Sequence, residues 1–351
     1  MDGSILTQTQ APGWDAAGAP CHLGAARLPS GDFVLVGLDA EGGEVFRLPL
    51  PDRGHAAAVH PTAPLAVGFA RRPGTFGVVV DCLDGREIAR LETPDGVHFM
   101  GHGCISADGH LLYTPENDYE RERGILGVWD VRDWRRIGEM PSGGLGPHDV
   151  IEMADGVLAV ANGGIFTHPA MERQKLNLAS MRPNLAYLCP RGEVLEALEP
   201  PERQASLRHI AMRADGTIAA AMQWEGEAAR APAVLALHRR GEPALRLLEA
   251  PAEAQARLKG YGGSVAFSGD GRLVAATSPR GGVAHLFDAD TGAFVAEIDQ
   301  PDVCGAAPAG AGLLLSDGMG WLRWIGEDGR ELRRRETPGL AWDNHLVRVA
   351  G

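Results

Sequence analysis

The sequence contains no Cys-x-x-Cys pair, no Gly-x-Ser-x-Gly and no His-Glu-x-x-His. It therefore lacks the readable signatures of a zinc ribbon, a thioredoxin-type redox site, a hydrolase nucleophile elbow and a zincin helix. The five cysteines, at positions 21, 82, 104, 189 and 304, are scattered, and an odd number leaves at least one outside any intramolecular disulfide. No apolar run approaches the roughly 20 residues that cross a bilayer as a helix. The opening stretch, MDGSILTQTQAPGW, has no basic segment followed by an apolar one, so no secretory signal is expected in it as it stands. Positive charge is scarce. Lys and Arg total 33 against 46 Asp and Glu, a formal net charge of -13, and only Lys175 and Lys259 are lysines. This balance argues against nucleic acid or an anionic membrane as the main partner, because both select basic surfaces.

What the chain does have is a repeat. Its 351 residues are 44% hydrophobic with 47 Gly and 24 Pro, and one unit recurs through them: a short apolar strand, an Asp/Gly turn, a second strand, a loop, then a third and fourth strand around another such turn. HAAAVH, LAVGFA, FGVVVD and REIARLE form one copy; GSVAFS, RLVAATS, VAHLFD and AFVAEI form another. The units begin near 55, 102, 148, 209, 263 and 304, with steps of 47, 46, 61, 54 and 41. Such spacing matches propellers with four strands per blade. The longer steps hold the 165–183 insertion and APAEAQARLKG, read as a short helix. The N-terminal segment supplies three strands without an inner one, and HLVRVA at the other end supplies a single strand. Together they complete a further blade, which removes the open sheet edges of a linear array. The expectation is an all-β, seven-bladed propeller over 22–351, closed by strands from both termini, after an N-terminal extension at 1–21.

Aligning the units places His55, His102, His148, His209, Gly263, Cys304 and His345 at one repeat position, the mouth of the channel-lining strand. Five of only 12 histidines, with one cysteine, share that position. Imidazole and thiolate are the side chains that best hold copper, iron or zinc. No organic cofactor is implied. The loops after each second strand are expected beside this ring, and they bring Arg71, Arg72, Glu116, Asp118, Asn162, His168, Gln223 and Arg280 to the mouth. Charges of both signs around imidazoles suit a metal ion or a small polar ligand. His22, His60, His98, His110, His238 and His285 fall elsewhere in the repeat and read as structural or exposed.

At ARRPGTF, GHGCISADG, TPENDYE, GPHD, VANGGIFTHP, KLNLASMRPNLAYL, RHIAM, GYGGSVA, ATSPRGG and PDVCG the sequence resembles a bacterial family designated domain of unknown function 1513. The resemblance runs from about residue 22 to 345. It implies a propeller-like protein of the periplasm, commonly encoded beside iron-regulated proteins, and so a role in metal handling. No catalytic residues come with it. Three functions compete: metal binding by His55, His102, His148, His209 and His345 with Cys304 as a sixth ligand; a metal-free platform docking a periplasmic metal-uptake protein; and a lactonase-like, metal-dependent hydrolase using Glu116, Asp118 or Glu225.

Overall fold

The structure is a computed structural model describing residues 13–171, 174–227, 229–230 and 232–349. Residues 1–12 of the expected N-terminal extension, part of the 165–183 insertion and the last two residues lie outside that range. Seven antiparallel sheets follow one another around an axis. The first blade takes its inner strand, Ala341–Arg348, from the C-terminus and its other three from His22–Arg27, Phe33–Leu38 and Glu44–Leu50. The inner strands of blades 2 to 7 are Gly54–Val59, a broken pair Val97–Phe99 and Cys104–Ile105, Pro147–Glu152, Ala205–Met212, Ser264–Phe267 and Val303–Ala309. The segment read as a helix is one, at Ala252–Arg257.

No single core holds this arrangement. The buried apolar residues fall into seven clusters, each built mainly from two adjacent blades. Period-two geometry explains how: successive side chains of a strand face opposite sides of its sheet. Val78 and Val80 thus pack toward blade 1, while Val79 packs toward blade 3. Strands buried on both faces need continuous apolar runs, which is why LAVGFA and FGVVVD do not alternate. Burial falls away at the outermost strands of several blades. Arg86–Glu92 and Glu331–Glu336 are largely exposed and charged, which blunts the rim edges against pairing with other chains.

Trp14 packs into the cluster between blades 1 and 2 and donates from Nε1 to the His60 carbonyl. The described part of the extension is therefore docked onto the propeller. Phe69 is fully buried between blades 2 and 3, beside Phe99. Phe69→Ala is expected to cost about 3–5 kcal/mol by opening a cavity in that seam, read as a lowered urea midpoint; a cost below about 1 kcal/mol would contradict seam packing as the source of stability.

Candidate metal centre

Each histidine of the cluster sits where an inner strand departs from regular pairing. In blade 2, His55 and Ala56 lie between the paired residues Gly54 and Ala57. In blade 4, His148 is the extra residue between Pro147 and Asp149. In blade 5 the extra residue is Arg208, directly before His209. In blade 1 the segment Asp343–His345 lies between paired Trp342 and Leu346. Bulges re-aim side chains that a regular ladder would send into the seams between sheets. Blade 3 goes further and breaks its strand at Gly101-His102-Gly103. Gly101 has φ +97, and a Cβ there would stand 2.6 Å from His55 Cδ2, so both its conformation and its closeness to His55 require glycine.

The five imidazoles are buried, none more than 6% exposed. Around the cluster the ring centroids of neighbours are 4.5 Å apart for His345 and His55, 5.0 Å for His55 and His102, 5.2 Å for His102 and His148, and 4.7 Å for His148 and His209. His209 and His345 close the circuit at 4.4 Å. One nitrogen from each of His55, His102 and His345 lies within 4.8 Å of the others, and the same holds for His102, His148 and His209. His102 belongs to both groups.

The nitrogens of these rings divide into held and unpaired ones. His55 Nδ1 donates to Asp343 Oδ1 at 3.1 Å, and His102 Nδ1 lies 3.3 Å from Asp149 Oδ1. His345 Nδ1 is 3.4 Å from the Ser264 hydroxyl. The buried atoms His102 Nε2, His345 Nε2, His148 Nδ1 and His209 Nδ1 have no hydrogen-bond partner. A carboxylate on one nitrogen fixes the tautomer and leaves the other with its lone pair, the arrangement that orients metal-binding histidines. Asp343 serves this role well. Burial works against its ionisation, but the His55 hydrogen bond and the charges of Arg71 and Arg53 hold its carboxyl well below the usual range. Arg53 Nε donates to Asp343 Oδ2 at 2.5 Å, and Asp149 Oδ2 accepts from the Ile210 amide of the next blade.

Several expected site residues are not brought to the cluster. Cys304 occupies its bulge between Val303 and Gly305, but its side chain packs in the seam of blades 7 and 1. Its thiol lies 3.1 Å from the Asp343 carbonyl and 3.5 Å from that of Trp342, and burial pushes its pKa up strongly; it is in neither nitrogen group. Gly263 offers no side chain, and Ser264 takes its place against His345. Glu116 is fully buried within blade 3, accepting from Thr114 at 2.6 Å and from Arg136 Nη1 at 2.7 Å. The strand Leu111–Asp118 runs through the segment read as a loop, so Glu116 and Asp118 are sheet residues; Asp118 is bound by Arg121 and Arg123. Asn162 ties the Ser142 carbonyl to the Asn184 side chain. Gln223 sits in a strand in a bridge to Tyr261, and Arg280 lies over the Tyr261 ring at 4.4 Å. Arg71, Arg72 and His168 do come together, lining a small cavity of about 40 Å3 with Tyr119 and Thr167.

Residues absent from the sequence reading now stand out: Asp149, Asp343, Ser264 and the buried Arg208. Their only signal is adjacency, since Asp149 follows His148, Arg208 precedes His209 and Asp343 lies two before His345. A larger cavity of about 850 Å3 opens between blades 1 and 7, lined by Trp14, Cys21, His22 and Trp324. It gathers no comparable donor set among the described residues.

Burial, reinforced by neighbouring imidazoles and arginines, lowers the pKa of His55 to about 4 and those of His148, His209 and His345 well below 6.5. These rings are neutral in the folded protein at pH 7. As pH falls through 6.5 the unfolded chain takes up protons that the folded state refuses, so stability drops; the loss continues down to about pH 4 for His55. Metal-free protein should therefore lose thermal midpoint steeply between pH 6.5 and about 4. The double variant His209→Asn/His345→Asn should show a shallower fall across the same window, and an equal fall would show that these rings do not carry the effect.

Similarity to solved structures is broad: 1195 chains match, too many for the fold to indicate a function. Hydrazine synthase of Kuenenia stuttgartiensis aligns with TM-score 0.61 at 15% identity, covering 96% of this chain and 100% of that one. The β-propeller domain of Cps50 (Swd1) from Myceliophteria thermophila aligns with TM-score 0.57 at 12% identity, covering 91% and 96%. At these identities the likeness is one of fold. No curated protein sequence matches significantly. The family described as "Protein of unknown function (DUF1513)" matches residues 48–349, a span that includes all five clustered histidines, and the chain belongs to that family.

Proposed function

We propose that this protein binds a transition-metal ion, copper, iron or zinc, through His55, His102, His148, His209 and His345, and serves in metal handling. The observation that carries the proposal is the set of four buried imidazole nitrogens without a partner. Buried polar atoms are nearly always satisfied, and here the orphans belong to residues whose nitrogens gather within 4.8 Å in two overlapping groups. The neutral rings of His55, His148, His209 and His345 need release no proton to coordinate, which removes one cost of binding at pH 7. With Cys304 turned into a seam, the donors are all nitrogen, a set suited to borderline ions. The bound ion would supply Lewis acidity or redox chemistry; the protein's own part is to hold the rings, through Asp149 and Asp343, and to keep water from the buried nitrogens. A periplasmic location and a place beside iron-regulated proteins are further parts of the proposal, and they rest on the family resemblance.

The hydrolase reading has less support. Glu116 and Asp118 are committed to arginines, and Glu225 is paired with Lys175.

Protein purified without chelator or affinity histidines is expected to carry stoichiometric metal by elemental analysis. Asp149→Asn should weaken binding roughly 10–100-fold, as loss of a carboxylate behind a ligand does. His102→Ala should weaken it further, because His102 is common to both groups. Glu116→Gln should leave metal content unchanged. A wild-type protein that takes up none of the three ions on titration would refute the proposal.

A further inference from the structure

Arg208 is a buried residue of an inner strand whose charge the histidine cluster does not explain. It occupies the extra position of the blade 5 bulge, between Leu207 paired with Met222 and His209 paired with Ala221. Its side chain is 2% exposed, and its Nε has no hydrogen-bond partner. Its nearest carboxylate, Glu225, stands 3.8 Å away and is already paired with Lys175 from the insertion. Gly163 gives it room, since a Cβ there would stand 3.3 Å from Arg208 Nη1. The guanidinium is near enough for its charge to act on both His148 and His209. Arg72 acts on the same two rings, and Arg71 on His55 and His345.

A buried, under-paired guanidinium is costly. Placed beside a proposed cation site it is doubly so, because it repels the ion that the imidazoles would hold. One kind of ligand relieves both penalties. A guanidinium presents a planar fork of N–H donors that fits the two oxygens of a carboxylate or a phosphate-like group, and the same anion can face a metal ion from its other side. We infer that the cluster carries an oxyanion subsite built on Arg208, so that the centre takes a small carboxylate or inorganic oxyanion next to His148 and His209. The metal and its anion then bind together rather than the bare ion alone. This joint binding rests on the metal reading; the anion subsite stands on Arg208 by itself and is tested with and without metal.

The test is a thermal-shift and calorimetric titration of the whole chain with inorganic phosphate and, separately, acetate. Each titration is run on chelator-treated protein and on protein loaded with zinc. Wild-type protein should be stabilised by at least one anion in a saturable manner in both forms, and more tightly when zinc is present. Arg208→Met, which removes the charge while filling its volume, should bind that anion roughly 10–100-fold more weakly yet keep its zinc stoichiometry. Arg208→Lys should fall between the two. A response to phosphate alone assigns the subsite to tetrahedral oxyanions, and a response to acetate alone assigns it to carboxylates. The inference is overturned if neither anion binds either form, or if folded Arg208→Met and Arg208→Lys both bind it as wild type does. Anion binding that is equal with and without zinc would retain the subsite and remove the joint binding. Failure of zinc to bind, with anion binding intact in the chelator-treated protein, would sink the metal reading and leave the subsite standing.

Discussion

The histidine cluster depends on a departure from regular β-geometry repeated around the axis. A strand buried between two neighbouring sheets sends its side chains alternately into one seam and the other, and apolar residues fill both. A polar ring in that register would lie against Val or Ala with no partner. Four of the five cluster strands solve this with a bulge or displaced pairing, and blade 3 solves it with an outright break between glycines. The same device fails to recruit blade 7. Its bulge residue, Cys304, is small and apolar enough to settle into the seam with Ala307 and Trp342, where its thiol meets backbone carbonyls.

Burial and the neighbouring imidazoles oppose a charge on His55, His148, His209 and His345, so these rings are packed together in the neutral form. Ring orientation is set by carboxylates across blade boundaries: Asp343 of blade 1 takes a hydrogen bond from His55 of blade 2, and Asp149 of blade 4 lies 3.3 Å from Nδ1 of His102 of blade 3. Each carboxylate is itself secured, Asp149 by the Ile210 amide and Asp343 by Arg53. The ring orientations are thus coupled to the relative placement of adjacent sheets, which the seven seam clusters fix. Preorganisation of this kind is what separates a binding site from a collection of ligands.

The propeller was legible because its signals are local. Asp/Gly turns, short apolar strands and a repeat near 47 residues appear directly in the chain, and the shared position of five histidines followed from aligning them. What escaped was the direction of individual side chains. Glu116 and Asp118 lie in a polar-looking stretch, yet the strand continues through them because Thr114, Arg136 and Arg123 supply partners inside the sheet and Arg121 one from the turn that follows. Cys304 shares the repeat position of the histidines but not their aim. Asp149 and Asp343 were invisible as partners because each serves a ring at least 47 residues away. A bulge leaves no mark in composition, and only the polar residues next to His148, His209 and His345 hinted at one.

Asymmetry is part of the design. The histidines come from five consecutive blades, and blades 6 and 7 contribute no large polar side chain to the axis. Seven imidazoles at equal radius would enclose a channel too wide for mutual contact across it. Leaving two adjacent positions small lets His209 and His345 approach across the gap, and theirs is the shortest ring separation of the cluster, 4.4 Å. On the opposite side the glycine-flanked break carries His102 inward, so that its ring lies only 4.7 Å from His345 and 5.1 Å from His209, distances close to the 5.0 and 5.2 Å to its neighbours in adjacent blades. A flat ring of five equal sides cannot have diagonals as short as its edges. The cluster is therefore folded in on itself around His102, and the fold's sevenfold repetition serves as a frame from which a smaller, irregular and denser set of donors is cut.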